Sequence, residues 1–132
     1  VVSDPDRAHC EHALKSLEHL VVLDIFRTET AELADVVLPS SAWGETDGVF
    51  TNTERRVQRV RAAVPPQGEA KPDWWILAQI AKRMGLAGFD YTSAKDVFNE
   101  LCELSPIYHG LDWDLVAEGR HQRVNGGIGY GT

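Results

Sequence analysis

The stretch that most constrains the fold is residues 21–39, VVLDIFRTETAELADVVLP. It holds two short apolar runs rich in β-branched residues, 21–25 and 36–38, and such runs suit strands buried on both faces of a parallel sheet. A carboxylate meets each run: Asp24 interrupts the end of the first and Asp35 opens the second. Residues 28–34 are rich in Ala, Leu and Glu and begin with Thr28, so a short helix with a threonine N-cap is expected between the strands. In open α/β sheets ligands sit beyond the carboxyl ends of the strands, where helix N-termini present free backbone N–H groups. Asp24, Thr28 and Thr30 fall at that edge.

A chain of 132 residues, 43% of them hydrophobic, has the length of one domain and enough apolar mass for a core. Its formal charge of −7 argues against a nucleic-acid partner, which calls for a broad basic face. The two cysteines, Cys10 and Cys102, have neither the paired spacing of a metal site nor the density of a disulfide scaffold, which fits a reduced compartment. No apolar run approaches the roughly 18–20 residues of a membrane span, and the first residues do not form a signal peptide. A soluble, cytoplasmic protein without a membrane partner is the expectation.

Asp4 before Pro5 reads as an N-cap with proline at the first helical position, opening a helix to about residue 18. Its apolar positions Cys10, Leu14, Leu17 and Val21 share one face and should lie against the sheet. Only His9 and His12 share a turn, so a packed Cys10 and solvated histidines are favoured over a metal site that would add His19. Residues 40–53 hold turn formers, Trp43 and two acids without a helical period, which reads as a long working loop. Gly44 and Gly48 could take positive φ and let the backbone approach a flat ligand; equally, Asp47-Gly48 could close an ordinary hairpin.

Residues 54–64 roughly alternate valines with Arg and Gln, the pattern of a half-exposed strand. Of the chain's 13 Lys/Arg and 20 acids, the segment 54–61 takes four arginines and one glutamate, leaving 9 against 19 elsewhere. Arg55, Arg56, Arg59 and Arg61 are thus a basic patch on an acidic body, suited to a pyrophosphate or a nucleic-acid backbone equally, or to pairing with the surplus carboxylates. Beyond a stiff Pro-rich linker at 65–72, Asp73 starts a helix with Trp74, Leu77, Ala78, Ala81 and Met84 on one face and Gly85 as its cap. Asp73 is either a first-turn acid or a carboxylate that holds a ligand's donors. Ser93 and Asp96 form a capping box for a helix with Val97, Phe98, Leu101 and Leu104 on its buried stripe, stopped by Ser105-Pro106. A short helix over 112–118 ends at Gly119, and the glycine-rich 125–132 reads as a mobile tail. No P-loop, metalloprotease helix or nucleophile elbow is present.

DIFRTETA at 24–31, ADVVLP at 34–39 and WGETDGVFTNTERRVQR at 43–59 together resemble the molybdopterin oxidoreductases of the dimethyl sulfoxide reductase family. GEAKPDWW at 68–75 and YHG at 108–110 narrow the resemblance to the catalytic α subunits of formate dehydrogenases. In that family this stretch is an interior piece of a much longer chain, part of a Rossmann-like domain holding one of two molybdopterin guanine dinucleotides. The resemblance implies an α/β fold: a Rossmann-like parallel sheet flanked by helices, with a helical C-terminal half. It implies that residues 1–119 are part of the molybdopterin guanine dinucleotide-binding domain. Asp24 and Thr28 would meet the guanine and ribose end, Asp73 would be a second acid at the nucleotide, and Glu45 and Thr46 would line the loop over the cofactor.

The family's iron–sulfur cysteines, its molybdenum-ligating Cys or selenocysteine and its formate-handling His-Arg pair have no match in this sequence. The piece is therefore expected to be inactive alone, with no catalytic and no metal-ligating residue of its own. After Gly119 the likeness stops, so residues 120–132 read as a divergent, flexible tail of a rearranged gene or an excerpt. The expected partners are the remaining domains of the parent enzyme or a second copy, since apolar surface buried in the parent would be exposed here. A stand-alone oligomeric interaction module, binding a protein or an anionic ligand through the old cofactor surface, is the alternative.

Overall fold

A computed structural model describes residues 5–119 and 122–124 of the chain. They fall into two compact units, the first drawn from Val1–Ala42 and Pro66–Asp73, the second from Trp43–Pro65 and Trp74–Thr132.

The first unit contains helix α1 (Arg7–Lys15) and the strands β1 (Val21–Asp24) and β2 (Val36–Pro39). The strands pair in parallel, Val21 beside Val36 and Asp24 beside Pro39, as the two apolar runs lead one to expect. Asp35 fixes the start of the pair: its carboxylate accepts the Leu20 N–H at 2.7 Å, and its own N–H donates to the Leu20 carbonyl at 2.9 Å. The far end extends by one bond, from the Ser40 N–H to the Asp24 carbonyl at 3.1 Å. Lys71 then lies parallel to Ser40, donating its N–H to Pro39 and accepting that of Ser41.

Three expectations for this unit are corrected. The connection is one 3-10 turn, Ala31–Leu33, instead of a helix over 28–34, because a crossover this short leaves no room for full α-turns. Its N-cap residue Thr30 makes no side-chain capping bond to the turn, although the Thr28 hydroxyl accepts the Ala31 N–H at 3.4 Å. Helix α1 is capped by Asp6, which accepts from the His9 N–H, while the expected cap Asp4 lies outside the described residues; the helix ends at Lys15 because the Ser16 N–H and hydroxyl both turn back onto its carbonyls. Nor are the strands buried on both faces. Helix α1 buries no residue, Val21, Val36, Val37 and Ile25 are exposed, and Phe26 keeps 73% of its surface.

The second unit is built on an antiparallel sheet of β3 (Gly48–Thr51), β4 (Arg56–Val60) and β5 (Gln122–Arg123), in that order. The wholly parallel sheet of the expected fold is therefore confined to β1 and β2. The hairpin turns at 52–55, where the Asn52 side chain accepts the N–H groups of Glu54 and Arg56 and Arg55 takes φ +65°, rather than at Asp47-Gly48. The stretch Gly48–Thr51 of the supposed loop 40–53 is thus strand. Helices α2 (Asp73–Arg83), α3 (Ala94–Leu104) and α4 (Trp113–Ala117) follow, with only Asp73 of α2 in the first unit.

Val57 of β4 packs with Phe98 and Cys102 of α3, Trp113 and Val116 of α4, and Val124. Residues 122–124, which the sequence assigns to a tail, supply β5 and a core valine; 120, 121 and 125–132 lie outside the described residues. The Ser93–Asp96 capping box forms, Asp112 caps α4, and Gly85 and Gly119 close their helices at positive φ. The predicted faces are partly rotated: α2 buries Ile76, Ala78 and Ala81 while Leu77 and Met84 are exposed, and α3 buries Phe98 and Cys102 while Leu104 is 75% exposed.

Phe98 is 3% exposed, with its ring centroid 5.6 Å from that of Trp113. Truncation there leaves a cavity in the centre of the core, so Phe98→Ala should cost about 3–5 kcal/mol in denaturant unfolding. A cost below about 1 kcal/mol would contradict this packing.

Candidate functional site

The carboxyl ends of β1 and β2 gather polar groups in the first unit. Asp24, the last residue of β1, is half-buried; one carboxylate oxygen accepts the Ile25 N–H at 2.7 Å and the Phe26 N–H at 3.4 Å, and the other accepts the Thr28 hydroxyl at 2.9 Å. The Thr28 hydroxyl is the main reason the Asp24 carboxyl titrates below its ordinary value; partial burial opposes it, and the Phe26 and Ile25 N–H groups add to it. Three of roughly four lone-pair positions are already engaged.

Asp73 reaches this edge through Ser40. The buried Ser40 hydroxyl donates to one oxygen of Asp73, while the Ser40 N–H bonds the backbone of Asp24. Asp73 is itself exposed at the first turn of α2. It is at once the first-turn acid and a carboxylate presented at the strand ends. Ser41, next in the chain, is also buried, and its hydroxyl finds no partner among the described residues. Sequence reading placed both serines in a loop; the available signal was a hydroxyl directly after the second strand, where a parallel ladder can hold it.

Of the five proposed contact residues, Asp24, Thr28 and Asp73 belong to this edge. Glu45 and Thr46 belong to the second unit, Glu45 in the 3-10 turn Trp43–Glu45 and Thr46 directly after it, both half-buried. Neither Gly44 nor Gly48 takes positive φ, and a Cβ on either would meet nothing within 4 Å, so the glycines do not mark a close approach within the described residues.

Three of the four arginines meet protein acceptors. Arg56 pairs with Glu54 at 3.1 Å, and Arg61 donates to the Ala117 carbonyl at 2.6 Å. Arg59 pairs with Asp47 at 3.1 Å, donates to the Gly48 carbonyl at 3.0 Å, and lies over the Trp113 ring at 4.1 Å. Pairing with the surplus carboxylates thus accounts for two of the four, and Arg59 is spent on holding the 47–48 turn. Among the described residues no three His, Cys, Asp or Glu side chains are grouped to hold a metal ion, and no helix is long and apolar enough to cross a membrane.

The profile of the molybdopterin oxidoreductase family matches residues 1–83, which include every residue of this edge. The chain belongs to that family. It is 54% identical over 123 residues to the F420-dependent formate dehydrogenase subunit alpha of Methanocaldococcus jannaschii, covering 92% of this chain and 18% of that one. With formate dehydrogenase H of Escherichia coli it shares 40% identity over 116 residues, 88% of this chain and 16% of that one. Among solved structures, acetylene hydratase from Pelobacter acetylenicus superimposes with a TM-score of 0.66 at 25% identity, over 92% of this chain and 16% of that chain. The chain spans less than a fifth of the length of these relatives.

The hydrogen bonds at Asp24 predict a pH dependence. Its folded pKa is depressed, so its contribution to stability is present above the unfolded value of about 3.9 and fades as pH falls through the folded value. A carbon-detected NMR titration should find the Asp24 carboxyl below its ordinary pKa and moved upward in Thr28→Val. An unchanged Asp24 titration in that variant would remove Thr28 from the site.

Proposed function

We propose that this chain forms part of the molybdopterin guanine dinucleotide-binding domain of a formate dehydrogenase-like oxidoreductase and is not catalytic alone. The observation that carries the reading is the Asp24–Thr28–Ser40–Asp73 edge at the carboxyl ends of two parallel strands. A guanine base offers N1–H and N2–H donors, and two carboxylates on one edge are suitable acceptors. Asp24 keeps about one lone-pair position for a ligand, whereas Asp73 uses one oxygen for Ser40 and accepts no described bond on the other, so the two acids share the base. Thr28 fixes the Asp24 carboxylate.

When bound, the molybdenum–pterin group supplies the redox chemistry. This chain holds the nucleotide end. Cys102 lies in the core, where burial pushes its thiol pKa up and so disfavours a metal-binding thiolate. The partner in this reading is the rest of a longer polypeptide, which covers the exposed Ile25, Phe26, Val36 and Val37; alone, the chain self-associates through them.

With one edge of the nucleotide site present, GDP should bind no tighter than about millimolar, roughly −4 kcal/mol. A chemical-shift titration should perturb Asp24, Thr28 and Asp73, favour GDP over ADP, and lose that response in Asp24→Ala. Equal perturbation by the two nucleotides, or a response confined to Arg55, Arg56, Arg59 and Arg61, would overturn the assignment.

A further inference from the structure

We infer that Ser40 is a positioning residue for the nucleotide edge: it holds the Asp73 carboxylate in the one orientation that leaves an oxygen free for a ligand's N–H donors. This rests on the guanine-binding reading of the same edge. Its physical basis lies in how tightly Ser40 is fixed. Its N–H bonds the Asp24 carbonyl on one side, and on the other its neighbours Pro39 and Ser41 both bond the backbone of Lys71. A residue clamped between β1 and the backbone of Lys71 and only 8% exposed presents its Oγ at a defined place.

A hydroxyl has one proton to give. Ser40 gives it to Asp73, the alternative acceptor being the Ser41 carbonyl at a long 3.4 Å. Ser40 therefore has no donor left for a nucleotide and acts through Asp73. The dependence is one-sided. Asp24 is oriented by Thr28 and two backbone N–H groups, so it does not need Ser40's side chain, whereas Asp73 is exposed and its carboxylate has no other bond among the described residues. Without the serine hydroxyl the Asp73 side chain would sample several rotamers, and a ligand would have to immobilise it on binding.

The test compares the chain with its Ser40→Ala and Ser40→Thr variants, using GDP and ADP as probes and Asp73 side-chain couplings as a ligand-free readout. The wild-type chain should show one Asp73 χ1 rotamer, Ser40→Ala should show rotamer averaging, and Ser40→Thr should restore the single rotamer. GDP binding should weaken about three- to tenfold in Ser40→Ala, the cost of ordering one side chain on binding, while ADP binding is unchanged. Unaltered Ile25 and Phe26 amide shifts would establish that the Asp24 end remains folded. An Asp73 rotamer distribution that Ser40→Ala leaves unchanged overturns the positioning role, whatever GDP does. If the rotamer responds but wild-type protein binds GDP and ADP alike, it is the guanine reading that fails.

Discussion

The parallel pairing of β1 with β2 is the constraint on which the functional edge depends. Two strands alone make a weak sheet, and the pair is held at its ends by flanking bonds as well as by its own ladder. At the start the Asp35 carboxylate and N–H grip Leu20, and at the finish Ser40 carries the ladder one bond beyond Asp24. Both devices set register. A slip of one residue would carry Ser40 off the Asp24 carbonyl, parting the Asp24–Thr28 pair from the Ser40–Asp73 pair while leaving the apolar runs intact.

The two units obtain their stability differently. The second buries an aromatic pair, Phe98 with Trp113, and closes it with Val57 and Val116, so ordinary hydrophobic burial holds it. The first has few buried side chains, Ala31, Ala70, Ser40 and Ser41 among them, and leaves its valines and Phe26 exposed. Its order comes from local hydrogen bonds around Asp6, Asp24 and Asp35. That distribution suits the proposed role, in which other parts of a longer polypeptide complete the apolar face.

Local chemistry was legible in the sequence. The Ser93–Asp96 capping box, Gly85 at its helix end and Asp24 at the end of β1 all act within a few residues, and they form as their patterns predict. Burial was not legible, because β-branched runs look the same whether or not a second layer exists to cover them. The crossover became a 3-10 turn because length overruled helix propensity, and the hairpin moved to Asn52 because an asparagine side chain can take two backbone N–H groups that Asp47-Gly48 had no need to supply. Asp24 and Thr28 could be paired from strand-end geometry and four-residue spacing. Their link to Asp73 runs through Ser40, 33 residues away in sequence, and no periodicity encodes it.

The central claim is that this chain's own fold preforms the carboxyl edge of the β1–β2 pair. Amide hydrogen exchange on the 132-residue chain without nucleotide tests it directly. The Ser40 and Val36 N–H groups, bonded to Asp24 and Leu20, should exchange well below the rate of an unstructured peptide and open together as one unit. Exchange of both at the unstructured rate, with protection retained in α3 and β4, would mean that the second unit folds while the edge does not, and would contradict the account.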